Sequence, residues 1–213
     1  MKKQLFLIII CLFAVNLTAQ NSNYCFLFNS PKALFYGIDF SLVKFRNDGA
    51  TGFNDLVKIR DSYFYTLNTY FTPGVDKYSL NDCFKKEVVL SLETANSRNK
   101  NIDINILMVD NTVSLRTESI NNLLSFYPTD NVKSDLGIIL IAEQFNKVKS
   151  GSDKSFGTYK LVFFKNSDHT ILLSLNLSGM AGGMGWANFW WKSIANALDD
   201  VKMNKLKKQY CPE

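Results

Sequence analysis

The densest stretch that could do chemistry is Gly179-Met180-Ala181-Gly182-Gly183-Met184-Gly185, followed at once by an aromatic helix pattern. Glycines ahead of a helix can present backbone N–H groups and the helix N-terminus to phosphate. No Gly-Lys-Ser/Thr follows, which excludes a Walker A loop. The dinucleotide fingerprint fails too, because Asn188 stands where its third glycine belongs. Gly182, Gly183, Gly185 and Asn188 therefore remain candidates for holding an anion or small ligand. The simpler reading is that the glycines let the chain leave a strand and let Trp186–Trp191 pack closely. Asp39 and Glu143 form the second candidate group, as acids inside otherwise apolar strand patterns. Facing each other across a cleft, they could share general acid–base work. Apart, each is a satisfied or half-exposed strand acid. His169, the only histidine, lies in a turn-rich segment, and no G-x-S-x-G stands near it, so no Ser/His/Asp machinery is expected.

Composition narrows the classes further. Lys2 and Lys3 precede an apolar run from Leu5 to Val15 and a polar exit at Asn16–Gln20. This reads as a secretory signal peptide over residues 1–19, since the run is too short to span a bilayer. Ile8–Ile10 before Cys11 do not make a lipobox. Residues 20–213 read as one domain, which needs no metal or dense disulfide framework to support its core. Losing two lysines takes the formal net charge from +5 to +3. Arg46, Arg60, Arg98 and Arg116 are the only arginines, and no basic patch interleaves with aromatics. Nucleic acid is therefore not an expected partner. Of Cys25, Cys83 and Cys211, at most one internal pair can form. Cys25 and Cys211 lie near the two ends, where a bridge is reasonable, and three reduced thiols are the equal alternative. No metal site or cofactor is expected from this cysteine spacing and one histidine.

Periodicity supplies the elements that would position these residues. Strict alternation of Leu34, Tyr36, Ile38, Phe40 and Leu42 predicts one long strand over Ala33–Phe45. A helix is predicted over Phe53–Phe71 from an apolar stripe that includes Val57, Tyr63, Phe64 and Leu67, with Pro73-Gly74 as its stop. Short strands follow at Glu87–Leu92 and Leu107–Val109, with Thr94–Asn101 open between a helical turn and a loop. Thr117–Tyr127 reads as a helix with Thr117 as N-cap. Leu136–Phe145, Thr158–Lys165 and Thr170–Leu177 read as a three-stranded antiparallel meander, and Trp186–Lys208 as a closing helix. The predicted class is α/β (α+β), in the order β-α-β-α-β-β-β-α: a mixed twisted sheet covered by helices. Most of Trp186, Phe189, Trp190 and Trp191 is expected in the core.

Four stretches carry a resemblance. Gly137–Lys147, Tyr159–Phe164, Gly183–Trp190 and Tyr36–Ser41 are together similar to a group of uncharacterised secreted α/β proteins of Bacteroidetes. The resemblance spans about residues 33–200 and implies compartment and lineage, with no activity to carry over. This chain has Lys165 where the group is expected to place an aspartate. More loosely, a meander, a glycine-rich exit and a helix resemble the α/β domains of periplasmic assembly proteins such as the curli-export lipoprotein and the amino-terminal domain of TolB. Those domains bind proteins. The expectation is an exported, periplasmic or secreted, non-enzymatic binding or assembly module whose partner is an envelope protein or small ligand, with no membrane segment in the mature chain. The alternative is a carboxylate-dependent hydrolase or lyase using Asp39 and Glu143.

Overall fold

The computed structural model describes residues 24–48, 52–75, 77–129, 133–149 and 154–212. The expected signal peptide at 1–19 lies outside them. A helical turn, α1, spans residues 24–29. Strands β1 (Lys32–Asp39) and β2 (Lys44–Asp48) follow. Next comes α2 (Leu56–Lys58), which runs through a π-helical turn (Ile59–Tyr63) into α3 (Phe64–Thr69). Then come α4 (Leu80–Phe84), β3 (Glu87–Leu90), α5 (Glu93–Lys100) and α6 (Thr117–Leu124). The last five elements are β4 (Leu136–Val148), β5 (Phe156–Lys165), β6 (Ile171–Met180), α7 (Trp186–Asp199) and α8 (Met203–Tyr210).

One mixed six-stranded sheet organises the molecule, in the order β3-β1-β4-β5-β6, with β2 also on β4. β1 runs parallel to β3 and β4, and β2 runs parallel to β4, while β4, β5 and β6 form the expected antiparallel meander. β4 is the hub. Its run Leu136–Asn146 is buried throughout because both faces are covered, so it reads as continuous rather than alternating apolar sequence. Ile138, Leu140, Ala142 and Phe145 join the large cluster containing α3 and α7 side chains; Ile139 and Ile141 join a smaller one with Ile120, Leu123 and Leu124 of α6.

The single strand expected over Ala33–Phe45 is two strands. Asp39 pairs Ile141 and Lys44 pairs Gln144, so five steps of chain match three on β4, and a turn at Ser41-Leu42 takes up the excess. A second irregularity sits at Gly37. Phe35 pairs Ile138 and Ile38 pairs Leu140, which inserts one residue and switches side-chain parity. Leu34 and Tyr36 accordingly face the α6 cluster while Ile38 and Phe40 face the opposite one, correcting the expected single apolar face. Gly37 has φ +87°, and a Cβ there would stand 2.8 Å from both Asn68 Oδ1 and Leu92 Cδ2, so glycine is required.

Three other expectations shift for physical reasons. The π turn adds a residue to the predicted helix, which buries Ile59 and leaves Val57 exposed. Thr117 is the first helical residue of α6, and the cap position is Arg116, which makes no side-chain cap bond. The closing helix breaks at Asp200–Lys202 into α7 and α8, where Lys202 Nζ donates to the Asp199 carbonyl. The open segment Thr94–Asn101 is helical as α5, and the expected strand at Leu107–Val109 is a single bridge from Met108 to Phe45. Cys25 and Cys211 form a disulfide over a separation of 186 residues, and Cys83 is free. Among the described residues no helix is long and apolar enough to cross a membrane.

Candidate functional site

Asp39 ends β1, and its carboxylate is wholly buried. Its Oδ2 accepts from Tyr127 Oη at 2.7 Å and from Arg98 Nε at 2.8 Å, while Oδ1 accepts the Ser41 N–H at 2.7 Å. Arg98 also donates to Ser41 Oγ and lies 4.2 Å over the exposed Phe126 ring. Burial, and then the Asp39 charge, push the Tyr127 hydroxyl well above the usual phenol range. Beside this cluster, Asn68 of α3 accepts from Ile38 N–H at 2.7 Å and donates to Ile38 C=O at 3.1 Å. Asn99 of α5 accepts from Phe40 N–H at 2.7 Å and donates to the same Ile38 carbonyl at 3.0 Å.

Glu143 is the bulged residue of β4, since Ala142 pairs Tyr159 and Gln144 pairs Thr158. Its Oε1 accepts the Leu115 N–H at 2.8 Å and lies 3.6 Å from Lys160 Nζ, which in turn donates to Asn176 Oδ1. Gln144 donates to the Asn111 carbonyl, so the bulge holds segment 111–115 against the sheet. Through Tyr127 and Leu115, both carboxylates turn to the side covered by α6 and the chain before it. Each is held by its own partners.

The glycine-rich exit does two separate things. Gly179 and Gly157 lie where α7 crosses the sheet. Ser193 Oγ donates to the Gly179 carbonyl at 2.6 Å and accepts from Gly157 N–H at 3.0 Å and Tyr159 Oη at 2.8 Å. Beyond them, the backbone crosses to α7 through Gly183 and Gly185, at φ +109° and +78°. Gly182 N–H donates to Phe189 C=O, and Phe189 N–H donates to Gly185 C=O. Asn188 Oδ1 accepts from Lys77 Nζ at 3.0 Å and Tyr70 Oη at 3.4 Å. Met184, at 90% exposure, tips this loop, and Met180 at 51% stands beside it.

The aromatic stretch is mainly core. Trp190 is fully buried and stacks on Phe145 at 4.2 Å, Trp191 meets Phe71 edge-on, and half-buried Trp186 stacks on Tyr63. His169 sits in the β5–β6 turn, against Phe164. Cys83 lies in a surface cavity of about 440 Å³ with Tyr78, Asp199 and Lys202, and burial pushes its thiol up to about 11. Lys86 is buried, donates to the Leu27 and Ser30 carbonyls, and is held down to about 8 by burial. Among the described residues no three His, Cys, Asp or Glu side chains gather to hold a metal. Arg98, Tyr127, Asn68, Asn99 and Ser193 were not distinguished by spacing, because their partners come from elements far away in sequence.

No family model matches the chain, and no curated protein matches it. Among solved structures, a hypothetical protein from Chlamydia trachomatis aligns over 86% of this chain and 99% of its own, at 8% identity and a TM-score of 0.39. The LpoB C-terminal domain from Salmonella enterica aligns over 70% of this chain and 82% of its own, at 14% identity and a TM-score of 0.26. A homolog of neuraminyllactose-binding hemagglutinin from Helicobacter pylori aligns over 84% of this chain and 83% of its own, at 10% identity and a TM-score of 0.28. These are distant structural neighbours, too remote to transfer a function. None supplies sequence evidence for the Bacteroidetes group.

Proposed function

We propose that the protein is an exported, non-enzymatic binding or assembly module. It engages an envelope protein or small ligand at the loop Gly182, Gly183, Gly185 and Asn188. The observation that carries this reading is Met184. A soft, adaptable side chain stands 90% exposed on a loop whose backbone is bonded on both sides, and Met180, at 51%, ends the strand that leads into it. Export of residues 20–213 after cleavage at 19 is supported by the leader pattern and by the Cys25–Cys211 bridge, which suits an oxidising compartment. The hydrolase or lyase alternative needs a carboxylate oxygen open to substrate. Asp39 has none exposed, and Glu143 is 5% exposed and engaged by Leu115 and Lys160.

A photo-crosslinking residue at position 184, compared in intact cells with the same residue at exposed Tyr65, tests the reading. A discrete adduct at 184 that is missing at 65 is expected. No adduct at either position, or the same adducts at both, would refute it.

A further inference from the structure

The sheet has three borders, and they are treated differently. β3 is only four residues long, its Glu87 is paired with Lys32, and its Val88 N–H is taken by Asn81 Oδ1. β2 carries Lys44, Arg46 and Asp48, and Phe45 exchanges backbone bonds with Leu107 and Val109. Short length, charge and covering chain are among the ways sheet edges are kept from pairing with other strands. β6 has none of these three, and its one irregularity is a bulge at Leu172, which leaves Leu173–Ser178 as a regular edge. It is ten residues long, Ile-Leu-Leu-Ser-Leu-Asn-Leu-Ser-Gly-Met, without a charge or a proline. Side chains of α7 take only the Gly179 and Met180 carbonyls. Among the described residues, Ile171–Ser178 makes no backbone hydrogen bond outside its ladder with β5. Beyond the Leu172 bulge, alternate residues over Leu173–Ser178 therefore offer their N–H and C=O outward, to water or to another extended backbone, whose spacing matches the row.

We propose that a second copy of this chain pairs antiparallel along β6, making one continuous sheet across a two-fold axis centred on Leu175. The choice of a second copy rests on the strand's own pattern. An antiparallel dyad sets residues of the same face opposite one another, so the register must centre on a residue rather than between two. Centring on Leu175 sets Leu173 against Leu177 of the partner subunit and Leu175 against its own copy. Leu175 and Leu177 are the half-buried leucines that the edge leaves unfinished on the α7 side. On the other side, exposed Ser174 meets Asn176 of the partner subunit, and no like charges meet. This goes beyond the loop reading and is tested at residues that take no part in it.

Sedimentation velocity of the purified protein over a concentration series up to millimolar measures the association. The register predicts opposite outcomes for two double substitutions that both keep a glutamate beside Lys160, where Asn176 now accepts. S174E/N176E sets glutamate against glutamate twice and weakens the dimer. S174K/N176E sets lysine against glutamate twice and retains it, so the two dissociation constants differ by about tenfold or more. A wild-type monomer at every concentration, a dimer that S174E/N176E does not weaken, or equal weakening by both variants overturns the proposal.

Discussion

Gly179→Ala isolates what the glycine-rich exit is for. Gly179 has no positive φ, so alanine suits its backbone and, by restricting the unfolded chain, would otherwise stabilise by roughly 0.4–1 kcal/mol. Space is the obstacle. The new Cβ would stand 1.9 Å from the Ser193 carbonyl oxygen, 2.8 Å from the Ala197 nitrogen and 2.9 Å from the Ser193 carbonyl carbon. All three are helix backbone and cannot rotate away, so α7 must lift from the sheet. Forced overpacking costs about 1–3 kcal/mol. Lifting α7 also strains the three hydrogen bonds that meet at Ser193 Oγ, each worth about 1 kcal/mol net. After the offset, a loss of about 3–4 kcal/mol is expected. Urea titration followed by tryptophan fluorescence and far-ultraviolet circular dichroism would read it as a lower midpoint at unchanged slope. Two neighbours serve as controls. At Gly182 a Cβ meets nothing closer than 3.6 Å, so Gly182→Ala should be neutral or slightly stabilising. Gly185 is open but at φ +78° and ψ 151°, a conformation that essentially only glycine adopts, so Gly185→Ala should cost about 1–3 kcal/mol from backbone strain alone. If Gly179→Ala falls within about 0.5 kcal/mol of wild type, or follows Gly182→Ala, the close-approach reasoning is wrong.

Other expectations follow from the same structure. Asp39→Ala strands the Arg98 guanidinium and the Tyr127 hydroxyl, and should cost about 2–4 kcal/mol by denaturant titration; a neutral result would mean the cluster holds nothing together. The Cys25–Cys211 bridge closes most of the chain, so reducing it should remove about 5 kcal/mol in the chain-entropy account. Reductant should then have no effect on C25S/C211S, and an equal effect on both proteins would assign the loss elsewhere. Burial pushes the Tyr36 hydroxyl up to about 12 and holds those of Tyr127 and Tyr159 well above the usual 10.0. These phenols ionise first in the unfolded chain, so the stability linked to them is complete below pH 10 and is lost as pH rises through their folded values. Urea midpoints measured across the alkaline range should fall beyond about pH 10, and a flat profile would contradict the burial of these rings.

Much of the architecture was legible because burial leaves period and length in a sequence. β4, β5 and β6 are long apolar runs broken by turn residues, so the meander and its order could be read directly. Errors arose where one residue is inserted into a regular element. Gly37 switches the parity of β1, Glu143 is the extra residue of β4, and the turn Ile59–Tyr63 adds one to a helix. Period-counting cannot register a single insertion, because the pattern on either side of it stays perfect. Asp39 shows the consequence. Alternation puts it on the face opposite Leu34 and Tyr36; in the fold it points toward Tyr127, on their side.

Those insertions also explain why polar side chains lie inside this sheet at all. β3 stops pairing with β1 at Phe35, so the outward groups of Ile38 and Phe40 lie past the end of the neighbouring strand. Asn68 takes both the N–H and the C=O of Ile38, and Asn99 takes the Phe40 N–H together with the same carbonyl. An amide side chain carries one donor group and one acceptor, as a peptide unit does, so two asparagines from α3 and α5 continue the ladder where β3 cannot. Glu143 serves segment 111–115 in the same way at the bulge of β4, and Ser193 does so between Gly157 and Gly179. A buried backbone group without a partner costs as much as a lost hydrogen bond, so each break in the ladder calls a polar side chain into the core. An acid in an apolar strand is thus ambiguous in sequence between catalysis and ladder repair. What separates the two is whether its oxygen atoms already have partners; those of Asp39 do, and Glu143 is held at Oε1.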